Sequence, residues 1–101
     1  AKRYRIDGAN VHLTMPVAPW EAALGATIAV PLPSGSVELK VPANSSQGSK
    51  LRLKGKGLPG KTPGDMYVLI DVQLPPADSE VAKDLYKKMS EELPFAPRAD
   101  L

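Results

Sequence analysis

Residues 55–74 read GKGLPGKTPGDMYVLIDVQL, and this stretch admits two incompatible folds. Its first eight residues, Gly55 to Thr62, match the phosphate-loop pattern G-x-x-x-x-G-K-[ST]; Val68-Leu69-Ile70-Asp71 then mimics the apolar run and acid that hold magnesium. A phosphate loop works because its amides and the N-terminus of a following helix point at the anion. Here Thr62 is followed by Pro63-Gly64-Asp65 and an alternating segment, so no helix can start. The positions between Thr62 and Leu69 are too few for the crossover helix of a βαβ unit. The residues before Gly55 alternate with Lys and Arg, unlike a buried parallel strand. The nucleotide fold is rejected. The glycines form a loop between two strands, and the chain reads as mostly β.

From Asp65 to Leu74 the apolar residues Met66, Val68, Ile70, Val72 and Leu74 fall on one face, with Tyr67, Leu69, Asp71 and Gln73 on the other. That period of two marks a strand. Before the loop, Leu51 and Leu53 alternate with Lys50, Arg52 and Lys54 in a shorter strand. Further back, Ile28, Val30 and Leu32 share one face of a strand over 27–32, and Val37, Leu39 and Val41 share one face of the next. Pro33-Ser34-Gly35 between them makes a hairpin. The first organised segment is 10–17, where Val11, Leu13 and Met15 alternate with His12 and Thr14 and Pro16 is expected to end the pairing. Pro19 opens a short helix through Leu24, which Gly25 is expected to close in a left-handed cap. Five strands and a small helix predict a compact antiparallel β-sandwich, or a half-barrel, over residues 1–76.

Composition agrees. A chain of 101 residues suffices for one domain, and 43% hydrophobic residues suffice for a packed core. Eleven prolines and eight glycines suit short segments joined by tight turns. The absence of cysteine excludes disulfides, a thiolate zinc site and a Cys nucleophile within these residues, and fits a reducing compartment. No apolar run approaches the roughly 18 residues of a membrane span. A formal charge of +2 is too small to argue for nucleic acid by itself.

Beyond Pro75-Pro76 the period changes. Asp78 is the expected N-cap of a helix running to Leu93, within a C-terminal segment 77–101. Val81, Ala82, Leu85, Tyr86, Met89 and Leu93 lie within an arc of about 140°. Asp84–Lys88 and Lys87–Glu91 are i,i+4 pairs on the opposite side. A helix this short is marginal alone, so its apolar face requires cover from its own domain or from a partner.

Chemistry is sparse. His12 is the only histidine, no nucleophile or orienting acid accompanies it, and no metal-ligand cluster is present, so no catalytic residue, metal or cofactor is expected. Lys50, Arg52, Lys54, Lys56 and Lys61 run without an intervening acid. They read as a solvated strand face or, alternatively, as a DNA phosphate-tracking stripe. No aromatic interleaves with the lysines in sequence, so base stacking is not expected.

Four blocks in order resemble the C-terminal substrate-binding region of DnaJ-type J-domain co-chaperones: residues 20–25 (WEAALG), 37–43 (VELKVPA), 48–57 (GSKLRLKGKG) and 64–68 (GDMYV). The resemblance spans Arg3 to Arg98 and fits the second of the family's tandem β-domains, followed by its dimerisation helix. It implies a non-enzymatic, cytosolic module of a bacterial co-chaperone, with nucleoid association if DNA is the partner. Such a module holds unfolded client polypeptides and works with a DnaK-type chaperone through domains outside this chain; no His-Pro-Asp motif is present. Clients would be held by strand addition over Met15, Val17, Ile28, Val30 and Leu32. The resemblance assigns homodimerisation to Val81, Leu85, Tyr86, Met89 and Leu93.

Overall fold

The computed structural model describes residues 3–32 and 35–101. Its elements are β1 (Tyr4–Asp7), β2 (Asn10–Val17), α1 (Pro19–Leu24), β3 (Ala26–Leu32), β4 (Gly35–Val41), β5 (Lys50–Leu53), β6 (Met66–Val72) and α2 (Glu80–Glu92). Two small sheets, one in the order β1-β2-β6-β5 and the other the β3–β4 hairpin, enclose one core. Leu13, Val17, Val30, Leu39, Val41, Met66, Val68 and Ile70 are buried there, with Ala22 of α1. The mostly-β, two-layer class agrees with the alternation. The Pro33-Ser34 part of the expected hairpin turn lies outside the described residues.

The sandwich is not wholly antiparallel. β2 and β6 pair in parallel over the full length of β6, Val11 opposite Met66 through Val17 opposite Val72. β1 is a sixth strand that the sequence reading passed over; it is short, and apart from half-buried Tyr4 its residues are exposed. Its alternation therefore carries little apolar contrast. Pro16 does not end the pairing either. The Val11 N–H donates to Asp65 O, and Val17 O accepts from the Gln73 N–H, so odd-numbered residues of β2 bond on one side. Thr14 N–H donates to Arg3 O on the other side. By this alternation the N–H that Pro16 lacks would face the β1 side, and the β2–β6 ladder loses nothing.

Two helix ends differ from expectation. Gly25 has φ 84° and ψ 154°, a glycine-only extended conformation and not a left-handed one. A Cβ there would crowd Val41 O and Ala43 N at 3.1 Å each. The N-cap of α2 is Ser79, whose Oγ accepts from the Ala82 N–H at 3.1 Å; Asp78 lies one residue outside. At the start of α1, the Ala18 N–H donates to the Glu21 carboxylate at 2.8 Å, one half of a capping box that Ala18 cannot reciprocate.

Two polar loops hold the layers together. The segment after β4 straps α1, with Asn44 N–H donating to Ala23 O and Ser45 N–H to Ala22 O. It then extends the ladder along β6 through Gly48 N–H to Ile70 O and Ile70 N–H to Ser49 O. The loop of residues 54–65 folds back on the β1–β2 turn. Gly57 N–H donates to Gly64 O, Leu58 N–H to Ala9 O and Gly55 N–H to the Asp65 carboxylate. The Gly55, Gly57 and Leu58 amides are engaged within the chain, and the element after Thr62 is strand β6, so the phosphate-loop pattern lacks the helix N-terminus that would face an anion.

Candidate functional site

The apolar face of α2 has no cover. Val81, Leu85, Met89 and Leu93 are 70, 63, 47 and 56% exposed, and no residue of the helix is buried. Leu74 and Phe95, which flank the helix, are exposed as well. Tyr86 differs from its neighbours on the arc. It is half-buried, and its hydroxyl donates to Pro75 O at 2.6 Å, anchoring the helix to the Pro-Pro exit.

The five residues proposed for client contact divide. Val17 and Val30 lie in the core at 3% and 0% exposure and cannot offer side chains to another polypeptide. Met15, Ile28 and Leu32 are half-buried, packed on the core from outside. β3 pairs only with β4 among the described strands, so its other edge faces outward. At one point that edge is tied from within, where the Tyr4 hydroxyl donates to Pro31 O at 2.7 Å.

The basic residues also divide. Lys50 and Arg52 lie on the outer face of the four-stranded sheet, while Lys54, Lys56 and Lys61 lie beyond the end of β5. Strand pairing brings unsuspected neighbours to them. One row across the sheet reads Arg5, His12, Tyr67, Arg52. The next sets Thr14 and Leu69 between Arg3, whose carbonyl accepts from Thr14, and Lys50. The His12 and Tyr67 rings are stacked, with centroids 5.2 Å apart and planes 20° off parallel. Aromatics do therefore stand among the cations, contrary to the linear reading. The signal for Tyr67 was its place on the polar face of a paired strand; Arg3 and Arg5 belonged to the unrecognised β1.

Asp65 organises one end of this face. Its carboxylate accepts from the Gly55 N–H at 2.9 Å and from Arg52 Nη2 at 2.6 Å, while its own N–H donates to Asn10 Oδ1. The Gly55 amide first, and then the Arg52 guanidinium, hold the carboxyl below the usual aspartate range. A pKa lowered by folding stabilises the native state above the unfolded value, about 4, and that contribution is lost as pH falls through the folded value. Thermal midpoints followed downward from about pH 5 should fall more steeply for the wild type than for Asp65→Asn. Parallel curves would remove Asp65 from the acid response.

The family model described as DnaJ C terminal domain matches residues 1–75. This chain belongs to that family. Among curated relatives, the Curved DNA-binding protein of Coxiella burnetii (strain RSA 493 / Nine Mile phase I) is 51% identical over 98 residues, covering 97% of this chain and 31% of the relative. The protein of the same name from Serratia proteamaculans is 46% identical over 99 residues, covering 96% and 32%. That from Pseudomonas putida is 42% identical over 97 residues, covering 94% and 30%. This DnaJ C-terminal domain thus spans under a third of the length of these relatives. No helix among its described residues is long and apolar enough to cross a membrane.

Proposed function

We propose that this chain is the client-holding and self-association module of a DnaJ-like co-chaperone, the sandwich taking clients and the segment from residue 77 onward joining two copies. The observation that carries the reading is the uncovered apolar face of α2, attached to a domain of the DnaJ C-terminal family. Packing two such faces together removes Val81, Leu85, Met89 and Leu93 from water, and burial of side chains of this size stabilises by about 1.5–3 kcal/mol each when complete. Clients add as a strand along the outer edge of β3, over Met15, Ile28 and Leu32, with backbone hydrogen bonds giving affinity. Transfer to a DnaK-type chaperone in a bacterial cytosol belongs to the whole protein.

Light scattering tests the association. The wild type should show about twice the 10.8 kDa chain mass at high micromolar concentration, and Leu85→Asp with Met89→Asp should show the single mass with an unchanged β spectrum. A monomeric wild type would refute the self-association reading.

A second reading, favoured by the name of these relatives, is duplex DNA binding through Lys50, Arg52, Lys54, Lys56 and Lys61. Its affinity should fall steeply with salt. Affinity indifferent to salt and to Lys54→Glu would dispose of it.

A further inference from the structure

The outer face of the four-stranded sheet carries a groove of about 580 Å³ that neither the α2 surface nor the β3 edge uses. Arg3 and Arg5 form one bank and Lys50 the other, with His12, Tyr67 and Leu69 in the floor. Among the described residues these three cations make no ion pair; the pairs found are His12–Asp7, Arg52–Asp65 and Lys83–Glu80. Two of those pairs mark one end of the groove. Asp7 stands 4.0 Å from His12 Nε2, and Asp65 is held by Arg52. The groove is cationic along its sides and aromatic-aliphatic beneath, and it opens to solvent.

Strands lie roughly 4.8 Å apart, so the β1 and β5 banks are separated by three spacings, about 14 Å. That width suits one extended anionic backbone with flat groups over the floor. A duplex keeps the faces of its bases stacked inside, so it could meet the banks but would leave the rings unused. A single strand exposes both its phosphates and its bases, and cationic sides with an aromatic floor match both.

We propose that this groove binds single-stranded nucleic acid. Arg3, Arg5 and Lys50 engage the phosphates, and bases stack on the ring faces that His12 and Tyr67 turn away from each other, with Leu69 beside them. The site shares Lys50 with the duplex reading above but does not depend on it, since Lys54, Lys56 and Lys61 lie outside the groove.

The test is fluorescence anisotropy of the 101-residue chain with a labelled oligothymidine and with a duplex of equal length, at low and moderate salt. The single strand should be preferred. Tyr67→Ala should weaken it about tenfold while changing duplex affinity less than about twofold, and Tyr67→Phe, which keeps the ring, should restore the preference. Arg5→Ala with Lys50→Ala should lower the salt slope on the single strand by about 1.4. Lys56→Ala with Lys61→Ala should leave single-strand affinity unchanged. These last two arms also decide the matter if Tyr67→Ala unfolds the domain. The proposal is overturned if oligothymidine does not bind, or if its affinity ignores both Tyr67→Ala and the groove cations. It is likewise overturned if a duplex binds as tightly and is weakened by the loop variants alone, which would leave the duplex reading standing. A glutamate-rich peptide that binds with the same Tyr67 dependence would reassign the groove to acidic polypeptides.

Discussion

Gly64→Ala should destabilise the domain by on the order of 3 kcal/mol. An ideal Cβ on Gly64 overlaps the backbone carbonyl of Ala9, so no side-chain rotation can relieve it. The loop and the β1–β2 turn would have to separate there. That would strain the hydrogen bonds from Leu58 N–H to Ala9 O at 2.9 Å and from Gly57 N–H to Gly64 O at 2.9 Å. Asp65 follows immediately, so its bonds to Arg52, Gly55 and Asn10 would be disturbed with it. Against a typical domain stability of 5–15 kcal/mol, a loss of this size is large but measurable by urea unfolding. Gly60→Ala in the same loop is the control. No atom lies within 4 Å of a Cβ at Gly60, so its change should stay within about 0.5 kcal/mol. Equal stability of the two variants would mean that the loop does not close on the Ala9 turn.

Ile70→Ala should cost about 3–4 kcal/mol. Ile70 is fully buried on β6, which lies between β2 and β5 and contributes Met66 and Val68 to the same core. Removing its side chain forfeits the transfer free energy of the lost carbons and leaves a void between two sheets whose ladders resist collapse. Ile70→Val, which deletes a single carbon, should cost about 1 kcal/mol. The adjacent Leu69 faces the outer groove and is half-buried, so Leu69→Ala should cost roughly a third as much as Ile70→Ala. Should Leu69→Ala prove the more damaging, the inward and outward faces of β6 have been exchanged.

The faces of the strands are legible in the sequence. Met66, Val68 and Ile70 were placed inward by a period of two, and all three are fully buried. The rejection of the phosphate loop also rested on sequence alone, because Pro63-Gly64 cannot start a helix. The apolar arc of α2 was readable at its own period, whereas the exposure of Val81, Leu85, Met89 and Leu93 is decided by how the helix leaves the sheets. Tyr86 has a second contact that the sequence did not announce. Helical phase gives its direction but not the Pro75 carbonyl that meets it.

Other features had no local signal. Val17 and Val30 alternate like their neighbours, and only the closing of one sheet over the other decides that they are buried while Met15 and Ile28 stay partly open. Side-chain alternation is identical in parallel and antiparallel strands, so nothing in 10–17 or 66–72 announced that β2 and β6 run the same way. Arg5, His12, Tyr67 and Arg52 are far apart along the chain and become one row only through three separate strand pairings.

The sequence by itself determined which face of each of the five strands it revealed turns inward, and that a helix with a broad apolar face follows the sheets. Those are local properties, governed by backbone geometry and solubility over a few residues. The tertiary structure alone decided which strands became neighbours, and therefore which cations flank which rings. Neighbour choice is set by packing the two layers over one core, a long-range balance that no short window of residues contains.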